Sequence, residues 1–396
     1  MNNNEIRKLL ILTSESFPYG MAGTNRMISL SKGFMVNGLD VKVISIFKYG
    51  KPDSQIRYQY ESIYEGIQYI NLLLPSGKIT GRMIRFIKRK IKSILVFNYF
   101  LKNLKPGAFV LYYAPEMSPA VMIRILTRLK GLVLIKEETE HPSLRIKHKN
   151  KFYKYVYLKY YYRIFDGLFV ITENLFNYFK EELNFRKHLH IVPMIVDTDK
   201  FQPGINLNNK SIVFSGEYDV QKEGLDMLFG AFAMVIKIYP AYKLHMYGKS
   251  NEPNQNEQIK NLIKDHKLEN DVTLHGYRTR DDLVKILQEA DILVFTRPPS
   301  IQATYGFSTK LGEYLATGKP VIVTKVGEVV KYLADGRNAF LCDPNEASIA
   351  AKIFEIIRDY QHALEVGISG RICVEEHFNN KSEARKIVES LQQMKS

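Results

Sequence analysis

The feature that most constrains the fold is a repeated unit in which a short apolar run leads through a loop and a helical segment to another apolar run. The first unit starts with LLIL at residues 9–12 and continues with a helical segment from Ile28 to Val36. Asn37-Gly38 ends that helix, and the next apolar run is Val41 to Ile44. Strands that helices bury on both faces have such continuous apolar runs. The pattern therefore predicts an α/β fold with parallel sheets.

The same pattern recurs in both halves of the chain and predicts two domains. The remaining predicted strands are residues 109–113, 131–135, 167–171, 190–193, 211–215, 243–247, 272–274, 292–295, 321–324 and 339–341, with the clearest further helices at 225–238 and 281–289. A polar, turn-rich segment at residues 201–209 is the predicted linker. We predict two doubly wound, Rossmann-like domains, residues 1–203 and 204–396, facing across a cleft. The final helix is a candidate to pack back on the first domain.

The composition fits a reducing compartment. Among 396 residues there are two cysteines, Cys342 and Cys373, which are too few for a disulfide framework. The N-terminus has no signal-peptide pattern, and no apolar run approaches the roughly 18 residues of a membrane span. No Cys/His spacing is typical of a zinc site. We therefore expect a cytoplasmic protein without a metal or a cofactor.

The net charge of +15 is concentrated in the first half. Residues 1–203 contain 32 Lys and Arg against 16 Asp and Glu, whereas the remaining residues contain 24 against 25. Such an asymmetry indicates an anionic partner for the first half, either a membrane, a nucleic acid or a phosphorylated substrate.

Two glycine-containing loops follow predicted strands, at the sheet edge where open α/β folds bind ligands. The loop at residues 17–24 contains Gly23 and precedes a helix, whose N-terminal amides suit an anion. The alternative is that the loop is only a tight turn from strand to helix. The second loop contains Gly216 and Lys222. The Lys222 ammonium suits a diphosphate, although most loop lysines are simply solvated.

Two further segments complete the candidate site. Arg297 follows the predicted strand at 292–295 and either binds a phosphate or pairs with a neighbouring acid. Ser308, Thr309 and Lys310 precede Glu313 in a helical run. Glu313 either caps that helix or accepts hydrogen bonds from a ribose diol. Together the four loops suit a nucleoside diphosphate, with amides and cations for the phosphates and an acid for the ribose.

Several ordered segments carry a resemblance to a known family. They are PYGMAGTNRMISLSKGFMVNGLDVKVIS, FDGLFVITENL, HIVPMIVDTDKFQP, VFSGEYDVQKEGLDMLFGAF, VTLHGYRTRDDLVKILQEADILVFTRP and FSTKLGEYLATGKPVIVTKVGEVVKYLADGRNAFLCDP. These segments resemble the retaining glycosyltransferases of family 4, which have the two-domain GT-B fold. The resemblance implies metal-independent transfer of a sugar from a nucleotide-sugar donor to a saccharide or lipid-diphosphate-linked acceptor. By analogy, the setting is surface polysaccharide biosynthesis.

The resemblance also implies roles for individual residues. Glu313 would hold the ribose. Lys222 would bind the diphosphate and assist its departure as a catalytic residue. His141 would lie near the reacting sugar carbon. Glu138 and Glu140 are acceptor-side candidates. The implied donor site comprises Gly23, Gly216, Lys222, Arg297, Ser308, Thr309, Lys310 and Glu313.

The sequence departs from the family pattern at two places. Tyr305 stands where the family usually has a second acid, eight residues before Glu313, which puts the contact of that acid with the donor sugar in doubt. Met194-Ile195 replaces the usual Asn-Gly after the proline of the interdomain strand.

Two basic segments in the first half predict an anionic membrane partner. The segment at residues 78–105 includes GRMIRFIKRKIKSILVF, which as a helix has a basic side beside an apolar stripe. The run RIKHKNKFYKYVYLKYYYR at residues 145–163 adds tyrosines suited to the headgroup region. We predict peripheral association with the inner face of the plasma membrane. The alternative is that both helices pack on the first domain and expose only charge.

Two other functions remain open from the sequence. A basic nucleic-acid-binding protein would explain the charge and the tyrosines, but it leaves the loops of the second half unexplained, and no nucleic-acid partner is expected. A nucleotide-sugar epimerase or a sugar phosphorylase would retain the fold and change the reaction.

Overall fold

The computed structural model describes residues 8–46, 60–72, 94–203, 208–250 and 252–394. The chain forms two compact units, one comprising Met1–Ile195 with Asn380–Ser396 and the other Val196–Asn379. The linker predicted at residues 201–209 and the basic helix predicted at 78–105 lie partly outside the described residues. Of the latter, residues 94–103 form a helix.

The first unit is an α/β layer structure built on a mainly parallel sheet. Its elements are β1 (Lys8–Thr13), α1 (Ala22–Val36), β2 (Asp40–Ser45), β3 (Glu61–Tyr64), β4 (Ile67–Asn71), α2 (residues 94–103), β5 (Ala108–Tyr113), α3 (Met117–Leu129), β6 (Val133–Glu138), α4 (Pro142–Arg145), α5 (Lys151–Val156), β7 (Gly167–Val170), α6 (Glu173–Asn177) and β8 (His188–Ile191). The strand order is β3-β4-β2-β1-β5-β6-β7-β8. Only β3 pairs antiparallel among these strands.

The second unit is also an α/β structure, with a fully parallel six-stranded sheet in the described residues. Its elements are β9 (Ser211–Glu217), α7 (Val220–Glu223), α8 (Leu225–Ile236), β10 (Lys243–Lys249), α9 (Pro253–Asp265), β11 (Val272–Gly276), α10 (Arg280–Glu289), β12 (Ile292–Phe295), α11 (Ile301–Tyr305), α12 (Thr309–Ala316), β13 (Val321–Thr324), α13 (Val329–Tyr332), β14 (Phe340–Cys342), α14 (Glu346–Arg358) and α15 (Tyr360–His377). The strand order is β11-β10-β9-β12-β13-β14.

Both sheets change winding direction beside their first strand. In the first unit β1 lies between β2 and β5, and in the second β9 lies between β10 and β12. Because the connections leave in opposite directions there, a crevice opens at the carboxyl ends of the two central strands. The fold therefore marks the β1/β5 and β9/β12 edges as the places where each unit can bind a ligand. The predicted α/β fold with doubly wound sheets is confirmed.

The last helix, α16 (Asn380–Gln393), belongs to the first unit. It packs on α1, where Asn37 donates from Nδ2 to the Lys381 carbonyl at 2.9 Å. Leu391 and Ile387 join the buried core formed by Leu9 and Phe34. The C-terminal residues are therefore part of the core of the N-terminal unit.

Candidate active site

The β9/β12 edge of the second unit brings together four of the predicted donor-site residues. Gly216 lies near the end of β9, and Arg297 follows β12. Lys222 lies in the short helix α7, directly after β9, and Lys310 lies in the first turn of α12. The Cβ of an alanine at position 216 would lie 2.6 Å from Lys310 Nζ, so these segments are in direct contact.

A buried carboxylate, Glu223, organises the cations at this edge. Its side chain is only 2% exposed. Arg297 donates from Nη2 to Glu223 Oε1 at 3.0 Å, and Lys310 donates from Nζ to Glu223 Oε2. Arg297 therefore pairs with a neighbouring acid in the structure, through one of its guanidinium nitrogens. Each Glu223 oxygen fixes one cation, and this holds both cations beside the end of β9.

Burial and pairing shift the pKa values of this group in opposite directions. Although desolvation raises it, the charges of Lys310 and Arg297 lower the pKa of Glu223 to about 2. Desolvation, opposed by Glu223, lowers the pKa of Lys310 to about 8. Glu223 is therefore an anion at neutral pH, and Lys310 loses its proton more readily than a solvated lysine does.

Aromatic rings form the floor beneath these cations. Lys310 Nζ lies 4.5 Å from the ring centroid of Phe214 and 5.3 Å from that of Phe295. The Arg297 guanidinium lies 5.3 Å from the centroid of Phe295. The ring faces attract the cations and exclude water from one side, which strengthens the charge interactions on the other side.

Lys222 pairs with a second carboxylate, at the tip of the same loop. Its Nζ donates to Glu217 Oε2 at 2.8 Å, and both side chains are about a quarter exposed. Asp219 caps α7 by accepting from the Lys222 amide at 2.9 Å. Three cations and three carboxylates, Glu217, Asp219 and Glu223, thus lie within this loop cluster, and its charges balance. An arriving anion would compete with Glu217 for Lys222, the more exposed of the three cations.

Helix α12 places Glu313 beyond the capping positions. Ser308 is the N-cap residue, Thr309 is buried at the first helical position, and the first turn contains no acid. The neighbouring Tyr314 is fully buried and bonds to both backbone groups of Ser215, accepting from its amide at 2.6 Å and donating to its carbonyl at 3.0 Å. Glu313 is half-buried in this helix. Capping therefore does not account for Glu313.

In the first unit, the predicted anion loop contains an acid. Gly23 lies at the start of α1, and a Cβ at this position would approach Glu15 Cδ to 2.7 Å. Burial raises the pKa of Glu15, Arg145 lowers it, and the neighbouring Glu140 and Glu116 raise it further. The β1/β5 edge therefore presents carboxylates beside Gly23.

His141 is the N-cap residue of α4. Its Nδ1 accepts from the Ser143 amide at 3.3 Å, which leaves the proton of the neutral ring on Nε2. The ring packs 4.2 Å from the centroid of Tyr178. Burial lowers the pKa of His141, so the imidazole is neutral at physiological pH.

The two acceptor-side candidates differ in environment. Glu138 is fully buried and pairs with Arg145 at 2.8 Å and Lys136 at 3.5 Å, while Tyr162 donates to its Oε2 at 3.0 Å. Glu140 is half-buried at the sheet edge. Burial lowers the pKa of Lys136 to about 8. Glu138 is thus buried and held by three partners of its own unit, whereas Glu140 is partly accessible.

The structure thus separates the predicted residues into two groups. Gly216, Lys222, Arg297 and Lys310 meet at the β9/β12 edge, with Ser308, Thr309 and Glu313 on the adjoining α12. Gly23, Glu138, Glu140 and His141 belong to the first unit. Among the residues that the structure describes, no group of three or more His, Cys, Asp or Glu is arranged to hold a metal ion.

Sequence reasoning missed three residues that shape these edges, namely Glu15, Glu223 and Tyr314. Glu223 directly follows Lys222 in QKEGL and was available as a partner for the nearby cations. No sequence signal places it between Arg297 and Lys310, which are more than seventy positions away in the chain.

The two α/β units and a cation-lined edge at a topological switch point define the chain as a GT-B-fold protein with a candidate anion site in its second unit. Comparison with known proteins agrees with this class. Residues 196–371, nearly the whole second unit, match the family model of glycosyl transferases group 1.

Individual relatives give the same result. Mannosylfructose-phosphate synthase from Agrobacterium fabrum is 28% identical over 175 residues, which cover 40% of this chain and 37% of the relative. Sucrose-phosphate synthase from Thermosynechococcus elongatus superposes with a TM-score of 0.77 at 16% identity, covering 98% of this chain and 99% of that one. Anabaena HepE in complex with UDP and glucose superposes with a TM-score of 0.72 at 16% identity, covering 97% of this chain and 99% of that one. The sequence matches span less than half of the curated relatives' own length. The structural likeness shows the GT-B fold.

Proposed function

We propose that the protein is a retaining glycosyltransferase of family 4 that moves a sugar from a nucleoside-diphosphate sugar to an acceptor hydroxyl. The observation that carries this proposal is the cluster of Lys222, Arg297 and Lys310 at the β9/β12 edge, in which Glu223 holds Arg297 and Lys310 and Glu217 holds Lys222. Preorganised cations on an aromatic floor suit the diphosphate of a nucleotide sugar. The family match over residues 196–371 and the UDP-bound relative of the same fold support this choice of ligand.

The donor is proposed to bind as follows. The diphosphate would lie against Lys222 and Arg297, with the Gly216 backbone close by. Glu313, one turn further along α12 than a capping acid, would accept hydrogen bonds from the ribose hydroxyls. Ser308 and Thr309, at the start of the same helix, would contact the phosphate or the sugar.

The proposed reaction retains the anomeric configuration. The acceptor oxygen forms a bond to the anomeric carbon on the face from which the diphosphate departs. The bond between that carbon and the diphosphate oxygen breaks, and the acceptor proton passes to the departing phosphate. Lys222 stabilises the negative charge that grows on the diphosphate. No metal is needed in this proposal, because the cations of the protein supply the positive charge.

The first unit is proposed to bind the acceptor. His141 would contribute a neutral imidazole near the reacting carbon. Of Glu138 and Glu140, Glu140 is the better acceptor-side candidate, because Lys136 and Arg145 already bind the carboxylate of Glu138. Glu15 joins Glu140 at the same edge. These carboxylates suit the hydroxyl groups of a saccharide.

The acceptor is proposed to be a saccharide or a lipid-diphosphate-linked saccharide in surface polysaccharide biosynthesis. The excess positive charge of residues 1–203 supports a location at an anionic membrane surface. Peripheral association with the inner face of the plasma membrane would bring the protein to such an acceptor. Among the described residues, no helix has both the length and the apolar character needed to cross a bilayer.

The experiment that tests this function follows nucleoside diphosphate release from a panel of nucleotide sugars, with and without saccharide and lipid-linked acceptors. Release that requires an acceptor, with an unchanged anomeric configuration in the product by NMR, is the expected result. Conversion of the donor without an acceptor would indicate an epimerase. Consumption of inorganic phosphate would indicate a phosphorylase.

Replacement of Lys222 tests the leaving-group role. We expect Lys222→Ala to reduce kcat by about a hundredfold or more while changing donor affinity only a few-fold, because the charge on the diphosphate grows in the transition state. The matched control is Lys243→Ala, which removes a lysine from a similar ion pair with Asp271 at the opposite end of the sheet. Equal losses in kcat and affinity would exclude the assignment.

A further inference from the structure

The segment from Lys147 to Arg163 has an outward face that the packing of the first unit does not use. Phe152 is 77% exposed, Tyr155 53% and Tyr160 50%. These positions follow helical spacing along α5 and the π-helical turn Tyr157–Tyr161. We call these three rings, with the basic side chains around them, the aromatic–basic surface. A cluster of exposed large rings is unusual on a soluble protein and marks an interaction surface.

The inward face of the same segment is fixed by its own aromatic packing. Tyr157, Tyr161 and Tyr162 are each at most 2% exposed. The rings of Tyr157 and Tyr161 stack at 4.5 Å, and Tyr162 packs edge-on against Phe179 at 4.7 Å. The buried tyrosines therefore hold the segment in place. Phe152, Tyr155 and Tyr160 face outward because the inner side is already filled.

The charge around these rings has one sign. Between Pro142 and Phe165 there is no acidic residue. The segment from Lys147 to Arg163 contains six basic residues: Lys147, Lys149, Lys151, Lys154, Lys159 and Arg163. Lys159 Nζ lies 4.9 Å from the centroid of Tyr155 and 5.5 Å from that of Tyr160. The surface thus combines apolar rings with an uncompensated positive field.

A neighbouring helix extends the apolar character. Val121, Ile125 and Leu129 recur at four-residue spacing along α3 and are 42%, 53% and 79% exposed. Helix α3 contacts the 3-10 turn Tyr162–Ile164, which ends the aromatic segment. Two adjoining elements of the first unit therefore expose apolar side chains that the unit itself does not cover.

We propose that the aromatic–basic surface docks the protein on an anionic phospholipid membrane. Its tyrosines have an apolar ring and a wet hydroxyl, as headgroup-level residues do, and Phe152 supplies an apolar wedge. The six cations complement the negative surface potential of the bilayer. This surface lies in described residues and is distinct from the segment at residues 78–93.

Charge and ring geometry favour lipid over nucleic acid. Base stacking needs open ring faces, whereas the Tyr155 hydroxyl accepts a hydrogen bond from Lys159, whose ammonium also lies 5.5 Å from the ring centroid of Tyr160. These two rings also pack edge-on against each other at 6.4 Å. A second copy of the chain would bring like charges together. A lamellar anionic surface satisfies the rings and the charges at once.

This inference deepens the peripheral association proposed above, but its test does not depend on glycosyl transfer. The full-length protein is sedimented with vesicles of phosphatidylcholine containing phosphatidylglycerol, and with vesicles of phosphatidylcholine alone, without donor or acceptor. We expect binding to the anionic vesicles only, weakened by salt. The vesicle assay can therefore confirm docking even if the protein does not transfer a sugar, and it can exclude docking even if the protein does.

Two kinds of variant locate the docking surface. Phe152→Ser with Tyr155→Ser should lower vesicle binding by about tenfold or more. Lys151→Gln and Lys159→Gln should each lower it about fivefold, since one basic side chain near an anionic surface contributes about that factor. The charge variants keep the test valid if the ring variants do not fold. Ile238→Ser and Lys260→Gln, exposed in the second unit, are the matched controls and should bind as the wild type.

Three outcomes would overturn the proposal. Unchanged vesicle binding in both kinds of variant would place docking elsewhere on the chain. Equal binding to neutral and anionic vesicles would remove the role of charge. Tight binding of a single-stranded oligonucleotide that the ring variants abolish, without vesicle binding by the wild type, would assign the surface to nucleic acid.

Discussion

At the scale of single residues, Glu223 determines how the candidate donor site is built. Three cations packed at one edge would repel each other, and the buried carboxylate between Arg297 and Lys310 removes that repulsion. It also holds the two cations in fixed positions before any ligand arrives. Glu223 is 2% exposed, so it acts through its partners rather than by touching a ligand. It is a positioning residue in the proposed mechanism.

Glu223→Gln tests this positioning role. The variant retains the shape of the side chain but leaves two mostly buried cations without their counter-charge. Removing one partner of a buried ion pair costs about 3 kcal/mol or more, so we expect a loss of this size in the free energy of unfolding, measured by urea denaturation. The matched control is Glu217→Gln, whose pair with Lys222 is partly exposed and should contribute less than about 1 kcal/mol. Similar losses in the two variants would contradict the account.

The lowered pKa of Lys310 predicts that ligand binding is coupled to proton uptake. Its pKa is lowered to about 8 by burial, so part of the population is neutral near that pH. A bound diphosphate favours the charged ammonium and raises this pKa, so binding should take up protons at pH values near 8 and little well below it. Calorimetry in buffers of different ionisation enthalpy measures this uptake.

Lys310→Arg provides the control for that measurement, because a guanidinium does not titrate in this range. We expect the proton uptake to disappear in this variant while a measurable affinity remains. Proton uptake that persists in Lys310→Arg would assign the titration to another group.

At the scale of elements, the connection from α7 to α8 sets the geometry of the donor loop. Gly224 joins the two helices with a φ of +64°. A Cβ there would lie 2.2 Å from the Thr296 carbonyl oxygen, because Thr296 donates from Oγ1 to the Glu223 carbonyl at 2.9 Å. The end of β12 and the turn after α7 are thus pressed together. This contact places Lys222 and Arg297 at the same edge.

Gly224→Ala should therefore disturb both stability and the site. For alanine, the left-handed backbone alone costs about 1–2 kcal/mol, and the clash with Thr296 adds to this cost. We therefore expect the free energy of unfolding, measured by urea denaturation, to fall by about 3 kcal/mol. Donor affinity should fall as well, since the loop must move. Gly336→Ala is the matched control, with a φ of +67° and no atom within 4 Å of the added Cβ. This variant should lose only the stability that the left-handed backbone costs, and it should retain donor affinity. Equal effects in both variants would contradict the tight contact.

The elements that the sequence predicts best are those fixed by local patterns. The predicted strands at residues 292–295 and 321–324 coincide with β12 and β13, whose four residues are each buried. Such fully apolar runs bounded by polar turns leave little freedom of assignment. The predicted strand at 190–193 is instead found at His188–Ile191, where a half-buried edge strand gives a weaker pattern.

Other features depend on contacts that a linear pattern does not contain. The antiparallel hairpin of β3 and β4 turns at Glu65 and Gly66 and was missed, because ESIY alternates only weakly and ends at the sheet edge. The acid beside Gly23 was missed because Glu15 precedes it by a loop whose course the sequence does not fix. The residue types of the donor site were predictable from loop chemistry, but their pairing was not.

At the scale of the whole molecule, the two units differ in how their charge is distributed. The excess positive charge lies in residues 1–203, whereas the second half is close to neutral and gathers its cations at one sheet edge. A basic unit with an exposed aromatic surface suits attachment, and a nearly neutral unit with a preorganised cation cluster suits a nucleotide. The predicted boundary at residue 203 stays a prediction, and the compact units divide after Ile195.

The measurement that tests the central claim most directly is the thermal stability of the full-length protein against a panel of nucleoside diphosphates. A ligand that binds only the folded state adds about 2.7 kcal/mol at a hundred times its dissociation constant. We predict a base-selective rise in melting temperature that Glu313→Ala abolishes and that Glu365→Ala, an exposed acid of α15, preserves. No rise with any nucleoside diphosphate, or an equal rise in Glu313→Ala, would contradict a nucleotide-sugar site at the β9/β12 edge.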